Sequence, residues 1–268
     1  MAKAAKAPAA SPIRIGVVGH GVVGSAFTAL VARQADTIAA RTGIALTVTR
    51  IAVRDAAKHP GMVGDAIIGT DPLAVATAND VDLVVEVMGG TTVAGEVVRT
   101  ALESGKPVVT ANKALLAARS AELFKIADER GIDLLFEAAV CGGIPLIRPL
   151  RESLRGEPIR RVLGIVNGTT NYILTKMTED GLDYASALRG AQELGYAETD
   201  PTADVEGHDA AAKIAIIANF AFGVHVVADD VSSEGISASL PATSQWPASL
   251  GTSSNCSASP SATRRRVR

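Results

Sequence analysis

Short apolar runs alternate with longer stretches of helical spacing through the first half of the chain. The run IRIGVV, Ile13 to Val18, is short and mainly apolar and stops at Gly19. Such a run predicts a strand buried on both faces. VVGSAFTALVARQADTIAA, from Val22, has the apolar spacing of a helix. LTVTRIAV, from Leu46, is β-branched and predicts a second strand. DLVVEVMGG, KPVVTANK and DLLFEAAV predict three more strands, from Asp82, Lys106 and Asp133. GEVVRTALESG and SAELFKIADERG read as intervening helices, each closed by a glycine. Strands alternating with helices predict an α/β fold with a doubly wound parallel sheet.

The pattern changes after about Leu150. IRRVLGIVNGTTNYIL reads as strand, polar turn and helix, and LDYASALRGAQELGY as a helix ending at Gly195. DPTADVEG is a loop rich in carboxylates, and DVEGHDAAAKIAI opens a further helix running to about Phe222. This second part predicts a smaller α+β unit. From Ser237 the period disappears: the last 32 residues contain nine serines and no Asp or Glu. The expected organisation is a flexible leader over 1–12, a nucleotide-binding domain over 13–150, a catalytic domain over 151–236 and a disordered tail over 237–268.

Composition narrows the classes of function. The chain has 268 residues, 47% hydrophobic, with a net charge of -2, so electrostatics favour neither nucleic acid nor an anionic membrane. No apolar run predicts a membrane span. The Ala/Pro-rich start, MAKAAKAPAASP, lacks the apolar core of a secretory signal. Two cysteines exclude a disulfide scaffold and point to a reducing, cytoplasmic setting. The four histidines show no metal-ligand spacing.

The clearest chemical signal is GHGVVG, which sets Gly19, Gly21 and Gly24 between a buried strand and a helix. In this context the pattern predicts a dinucleotide site of Rossmann type. Gly19 permits the turn, Gly21 lets a pyrophosphate approach, and Gly24 lets helix and strand pack closely. The N–H groups of Val22, Val23 and their neighbours offer an anion site at the helix start. The second strand ends in AVRD, where Arg54 would pair with a 2′-phosphate and favour NADP. Asp55 could instead turn toward a ribose, which keeps NAD open.

Asp209 and Lys213 stand one helical turn apart, the spacing of an ordinary surface ion pair. Their neighbours change that picture. NGTTNYIL, GYAETDP and DVEGHDAAAK, together with GHGVVG, TANK and EAAVCGGIPLIRPL, resemble homoserine dehydrogenases over about Ile13 to Ile236. The resemblance implies reversible NAD(P)-linked interconversion of L-homoserine and L-aspartate 4-semialdehyde, in threonine, methionine and isoleucine biosynthesis. It implies Lys213 as general acid and base with Asp209 as its partner, and Lys113 of TANK beside the nicotinamide and the reacting group. Glu198 and Asp204 would meet the substrate ammonium, and Gly168, Thr169 and Tyr196 would line its pocket. Gly195 and Glu198 would also approach the cofactor. EAAVCGGI matches the family's monovalent-cation loop, with Glu137 and the carbonyls of Val140, Gly142 and Ile144 as ligands for Na+.

Each assignment has a plain structural counterpart. Lys113 would be a surface lysine, Tyr196 helix-end packing, Asp200 and Asp204 helix caps, and the Glu137 loop a tight turn without an ion. Cys141 has no histidine placed as its base and reads as a small buried residue. The resemblance stops after VSSEGIS, and the Ser/Pro/Arg-rich text beyond it reads like an out-of-frame translation of a GC-rich gene. The expectation is therefore a truncated or frameshifted family member. Its fold would be incomplete, its family-like homodimer compromised, and control through a C-terminal domain absent.

Overall fold

The structure is a computed structural model that describes residues 12–59, 64–237 and 257–258. The first elements are β1 (Ile13–Val18), α1 (Val22–Thr42), β2 (Leu46–Ala52), β3 (Ile67–Gly69), α2 (Pro72–Thr77) and β4 (Leu83–Glu86). There follow α3 (Thr92–Glu103), β5 (Val108–Thr110), α4 (Lys113–Arg130) and β6 (Leu134–Leu135). The remainder comprises α5 (Ala138–Cys141), α6 (Ile147–Arg151), β7 (Val162–Leu163), α7 (Gly168–Glu179), α8 (Tyr184–Glu193), α9 (Thr202–Val205), α10 (His208–Phe222) and β8 (Ser257–Ala258). The described residues form two compact units, one running to Leu115 with Arg119–Phe136, the other made of Leu116–Ala118 and the described residues from Glu137 onward.

The first unit is built on a six-stranded sheet in the order β3-β2-β1-β4-β5-β6, parallel throughout. This is the doubly wound order that follows when right-handed crossovers place helices on both faces. The order reverses between β1 and β4, which run side by side from the centre of the sheet. Ile15, Val17, Ile51, Val53, Ala66 and Val85 form one buried cluster, and Val18 and Val84 are buried as well. Burial on both faces explains why these strands read as continuous apolar runs.

The second unit is mainly helical. Ile173 and Met177 of α7 pack with Ala187 and Ala191 of α8 and with Val205 of α9. On α10, Ile214 and Ala218 pack with Val166, Phe222, Val226 and Val231. Strands β7 and β8 pair antiparallel. The expectations for 1–11, 238–256 and 259–268 lie outside the described residues.

Several predicted boundaries need correction. DLLFEAAV is a strand only at Leu134–Leu135, and Ala138–Cys141 turns into helix. Its apolar run is shared between the edge of the sheet and the start of the second unit. KPVVTANK contributes only Val108–Thr110 to the sheet, because Asn112 caps a helix whose first residue is Lys113. The strand after Ile159 shrinks to Val162–Leu163. Strand β3 and helix α2 are too short to register in the hydrophobic pattern, although Asp71 caps α2 and Pro72 occupies its first position.

Candidate functional site

In the first unit, the chain turns from β1 into α1 through the glycine loop. Gly19 has φ 98°, and a Cβ there would stand 2.7 Å from the Met88 and Val87 backbone. A Cβ on Gly24 would collide with the Gly19 carbonyl. Gly21 faces open space, and a Cβ there would meet no atom within 4 Å. The three glycines therefore differ in role: two make the turn possible, and one leaves room for a ligand. No side chain caps α1 at Gly21, and Val22 is 88% exposed, so the helix start presents its N–H groups outward.

Arg54 lies exposed just beyond the end of β2. Asp55 turns back into its own chain: its carboxylate accepts the Ala57 N–H at 3.0 Å and caps the single turn Ala56–Lys58. His20, in the glycine loop, hydrogen-bonds Thr28 at 3.0 Å and meets His59 edge-on, with ring centroids 5.4 Å apart. Burial and then the charge of His59 lower the His20 pKa.

At the end of β4, Glu86 is fully buried. Its carboxylate accepts Thr110 Oγ1 at 2.6 Å, the Asn112 side-chain amide at 3.4 Å, and the N–H groups of Met88 and Gly89 at 3.0 and 3.3 Å. Asn112 also donates to the Gly90 carbonyl at 2.7 Å and caps α4 through Leu115 N–H. One buried carboxylate thus ties together the ends of β4 and β5 and the helix start that carries half-buried Lys113. Sequence reasoning missed Glu86, although a carboxylate inside the apolar run LVVEVM was its available signal.

In the second unit, Asp209 and Lys213 project from α10. Their side chains are 7% and 18% exposed, and Lys213 Nζ lies 2.8 Å from Asp209 Oδ2. Nζ also donates to the Val166 carbonyl at 2.6 Å. Two of the three ammonium hydrogens are therefore engaged within the described residues, which leaves one for an incoming oxygen. Asn167 donates 2.7 Å to Asp204 Oδ1 and 2.9 Å to Asp209 Oδ2. Asp204, Asp209 and Lys213 thus form one hydrogen-bonded cluster around a residue absent from the predicted set. Asp200 is the loop carboxylate that acts locally, accepting from Thr202 N and Oγ1 at 3.1 and 2.6 Å.

Gly168 begins α7, and Thr169 donates to the Tyr196 carbonyl at 2.7 Å, joining those two predicted positions. The Tyr196 ring is exposed and leans on Tyr172, with centroids 5.2 Å apart. Gly195 ends the turn after α8 with φ 75°. Glu198 is exposed, its main chain held by Gln192, and among the described residues its carboxylate makes no hydrogen bond to the cluster.

The Glu137 carboxylate accepts three backbone N–H groups: Leu146 and Ile147 at 2.6 and 2.8 Å through Oε1, and Arg148 at 2.8 Å through Oε2. It anchors the start of α6. Val140 is buried, whereas Gly142 and Ile144 are exposed, and Gly142 has φ 59°. Cys141 is half-buried rather than enclosed. Burial pushes its thiol pKa up, Lys213 opposes that shift, and Glu137 adds to it. A raised thiol pKa suits a structural residue rather than a nucleophile.

Comparisons with known proteins now bear on both units. The family model described as the homoserine dehydrogenase NAD-binding domain matches residues 19–137, and the homoserine dehydrogenase model matches 145–263, past Ser237. A solved structure of a putative homoserine dehydrogenase from Archaeoglobus fulgidus shares 35% identity at a TM-score of 0.81, over 95% of this chain and 82% of that one. The chain belongs to the homoserine dehydrogenase family.

A homoserine dehydrogenase from Mycobacterium leprae is 53% identical over 86% of this chain and 52% of its own length. The chain thus spans about half the length of the curated relatives it matches. A hyperthermophilic archaeal homoserine dehydrogenase solved in complex with NADPH aligns with a TM-score of 0.78 at 28% identity, over 96% of this chain and 80% of that one.

Proposed function

We propose that the chain carries the NADP-linked interconversion of L-homoserine and L-aspartate 4-semialdehyde, within threonine, methionine and isoleucine biosynthesis. The observation that carries this reading is the Lys213–Asp209–Asn167–Asp204 cluster, a buried carboxylate and a half-buried amine held together inside a family member. Bound NADPH supplies the hydride. As the aldehyde carbon is reduced, its oxygen gains negative charge, which the Lys213 ammonium stabilises before giving up a proton. In the oxidative direction the neutral amine takes the proton from the homoserine hydroxyl. Asp209 and the Val166 carbonyl hold Nζ in place through both directions. Glu198 and Asp204 are the carboxylates assigned to the substrate ammonium, and Gly168, Thr169 and Tyr196 to the pocket wall. Lys113, held at the start of α4, keeps the role beside the nicotinamide and the reacting group that the family resemblance implies.

The cofactor assignment rests on the open space above Gly21, the uncapped start of α1 with Val22 and Val23, and the exposed Arg54. The engagement of Asp55 in its own turn favours Arg54 as the group that reads the ribose, and hence NADP over NAD. Gly195 and Glu198 complete the proposed cofactor contacts. The NADPH complex of the archaeal relative supports the same choice.

A sodium ion at the Glu137 loop is a further part of the reading. Carboxylate and carbonyl oxygens suit a hard monovalent cation, and Glu137 Oε2 accepts only one of the three N–H groups described. Glu137 and the carbonyls of Val140, Gly142 and Ile144 would hold it. A family-like homodimer and a cytoplasmic setting belong to the same proposal. No helix among the described residues is long and apolar enough to cross a membrane.

A substrate panel tests the reaction. The purified chain is assayed with NADPH against aspartate semialdehyde and a set of small aldehydes that lack the α-ammonium group. Preference for the amino-acid aldehyde supports the assignment. Equal rates across the panel would point to another small-aldehyde oxidoreductase, and cofactor binding without turnover to a dinucleotide-binding fragment.

A further inference from the structure

The polar cluster of the second unit is centred on a residue with no assigned part in the chemistry. Asn167 is buried, with 7% of its surface exposed. Its Oδ1 accepts the Thr170 N–H at 2.8 Å and lies 3.0 Å from Thr170 Oγ1, which caps α7. Its Nδ2 faces Asp204 and Asp209. The amide has only one sensible orientation, since a flip would set its oxygen against two carboxylates and its NH2 against an N–H. Both amide hydrogens are thus committed to different aspartates on different helices, α9 and α10.

The main chain beside it contributes too. Val166, the preceding residue, offers its carbonyl to Lys213 Nζ. One two-residue segment therefore fixes the lysine from one side and its carboxylate partner from the other. Asp209 Oδ2 receives both Asn167 Nδ2 and Lys213 Nζ, so the amide sets where that oxygen stands and hence where the ammonium points. The short Val166–Asn167 link is itself held by the cap on α7 and by Val166 packing against Ile214 and Ala218.

We infer that Asn167 is a positioning residue, which locks Asp204 and Asp209 in place and through Asp209 aims Lys213. This rests on the function proposed above as far as catalysis is concerned, but its geometric part stands alone. Capping by itself would give a different outcome. Ser and Asp cap helices about as well as Asn, so a residue needed only for its cap would tolerate both. Neither supplies the two amide hydrogens, and Asp would set a third carboxylate against the existing two.

The test uses the full chain with Asn167→Ser, Asn167→Asp and Asn167→Ala. For Ser, the thermal midpoint should stay near that of the parent, whereas the third carboxylate of Asn167→Asp should lower it; in both, kcat for homoserine falls by about tenfold to a hundredfold, the scale of a small misplacement of a catalytic group. Dinucleotide binding should be unchanged, and the primary isotope effect from homoserine deuterated at its hydroxyl-bearing carbon should rise as the chemical step becomes slower. Wild-type kcat in Asn167→Ser or Asn167→Asp would overturn the inference and leave a helix cap. A crystal structure of Asn167→Ser decides the geometric part even if the parent shows no turnover, which would count against the proposed reaction alone. The inference expects Asp204 and Asp209 to leave their present rotamers while α7 stays capped; unmoved carboxylates would overturn it.

Discussion

Replacing Lys213 separates an ion pair that merely steadies a helix from one that moves a proton. In Lys213→Ala the amine is lost, while Asp209, 7% exposed, keeps Asn167 Nδ2 at 2.9 Å. The carboxylate therefore loses one charge-assisted bond but is not stranded, so a stability loss of about 1.5–3 kcal/mol is expected rather than the larger cost of an isolated buried charge. Lys213→Arg keeps the positive charge and a donor for Asp209, so most of that loss should return. Catalysis should behave differently. Positioned acid–base chemistry contributes roughly 10²–10⁴ in rate, and a guanidinium does not release its proton near neutral pH. Both variants should therefore lose kcat by that order, with dinucleotide binding intact. The assay is initial-rate homoserine oxidation followed through NADPH formation, alongside urea unfolding of each variant. Near-parent kcat in Lys213→Arg, or kcat losses that simply follow the stability losses, would refute the role given to the amine.

Other outcomes follow from the remaining geometry. Arg54→Asp should weaken NADP binding by about tenfold or more, the worth of a charge-assisted phosphate contact, with NAD much less affected; calorimetric titration of both cofactors checks this, and equal losses would remove Arg54 from the 2′-phosphate. Glu198→Gln should raise KM for homoserine with little change in cofactor affinity, as steady-state kinetics would show, and unchanged KM would return Glu198 to the class of loop charges. Arg14 pairs with both oxygens of Asp82, at 2.6 and 2.9 Å, and those hydrogen bonds lower the carboxyl pKa to about 2. The pair's stabilisation is fully present above the ordinary carboxylate range and fades as pH falls toward that lower value. Asp82→Asn should therefore cost a little stability in urea at neutral pH, with the gap to the parent closing in acid; a gap independent of pH would contradict this.

The parts of the fold legible in the sequence are those where one physical constraint dominates. Strands β1 and β4 are buried on both faces, so their apolar runs could hardly be anything else. The glycine loop is readable because two of its glycines face backbone that a side chain would strike. Helix α10 keeps its predicted end because Gly223 stops it in a left-handed conformation. Leu134–Leu135 and Ala138–Cys141 merge into one strand in the sequence pattern because apolar spacing does not say where a sheet ends and a short helix begins.

The site is legible where sequence spacing is spatial spacing, as for Asp209 and Lys213 one turn apart on α10. It is not legible where contacts cross between elements. Asn167 lies 37 and 42 positions from Asp204 and Asp209, and Glu86 lies 24 from Thr110. An asparagine before a helix looks the same whether it only caps or also holds two carboxylates. Glu137 shows the converse case: the EAAVCGGI pattern suggests a cation ligand, whereas the fold reveals that its carboxylate also anchors the start of α6.

The most direct test of the central claim is NADPH-dependent reduction of L-aspartate 4-semialdehyde by the purified chain, with the product identified and cofactor binding measured on the same sample. The account predicts stoichiometric NADPH oxidation and L-homoserine formation, lost in Lys213→Ala. Saturable NADPH binding with no homoserine formed, in protein shown to be folded, would contradict it.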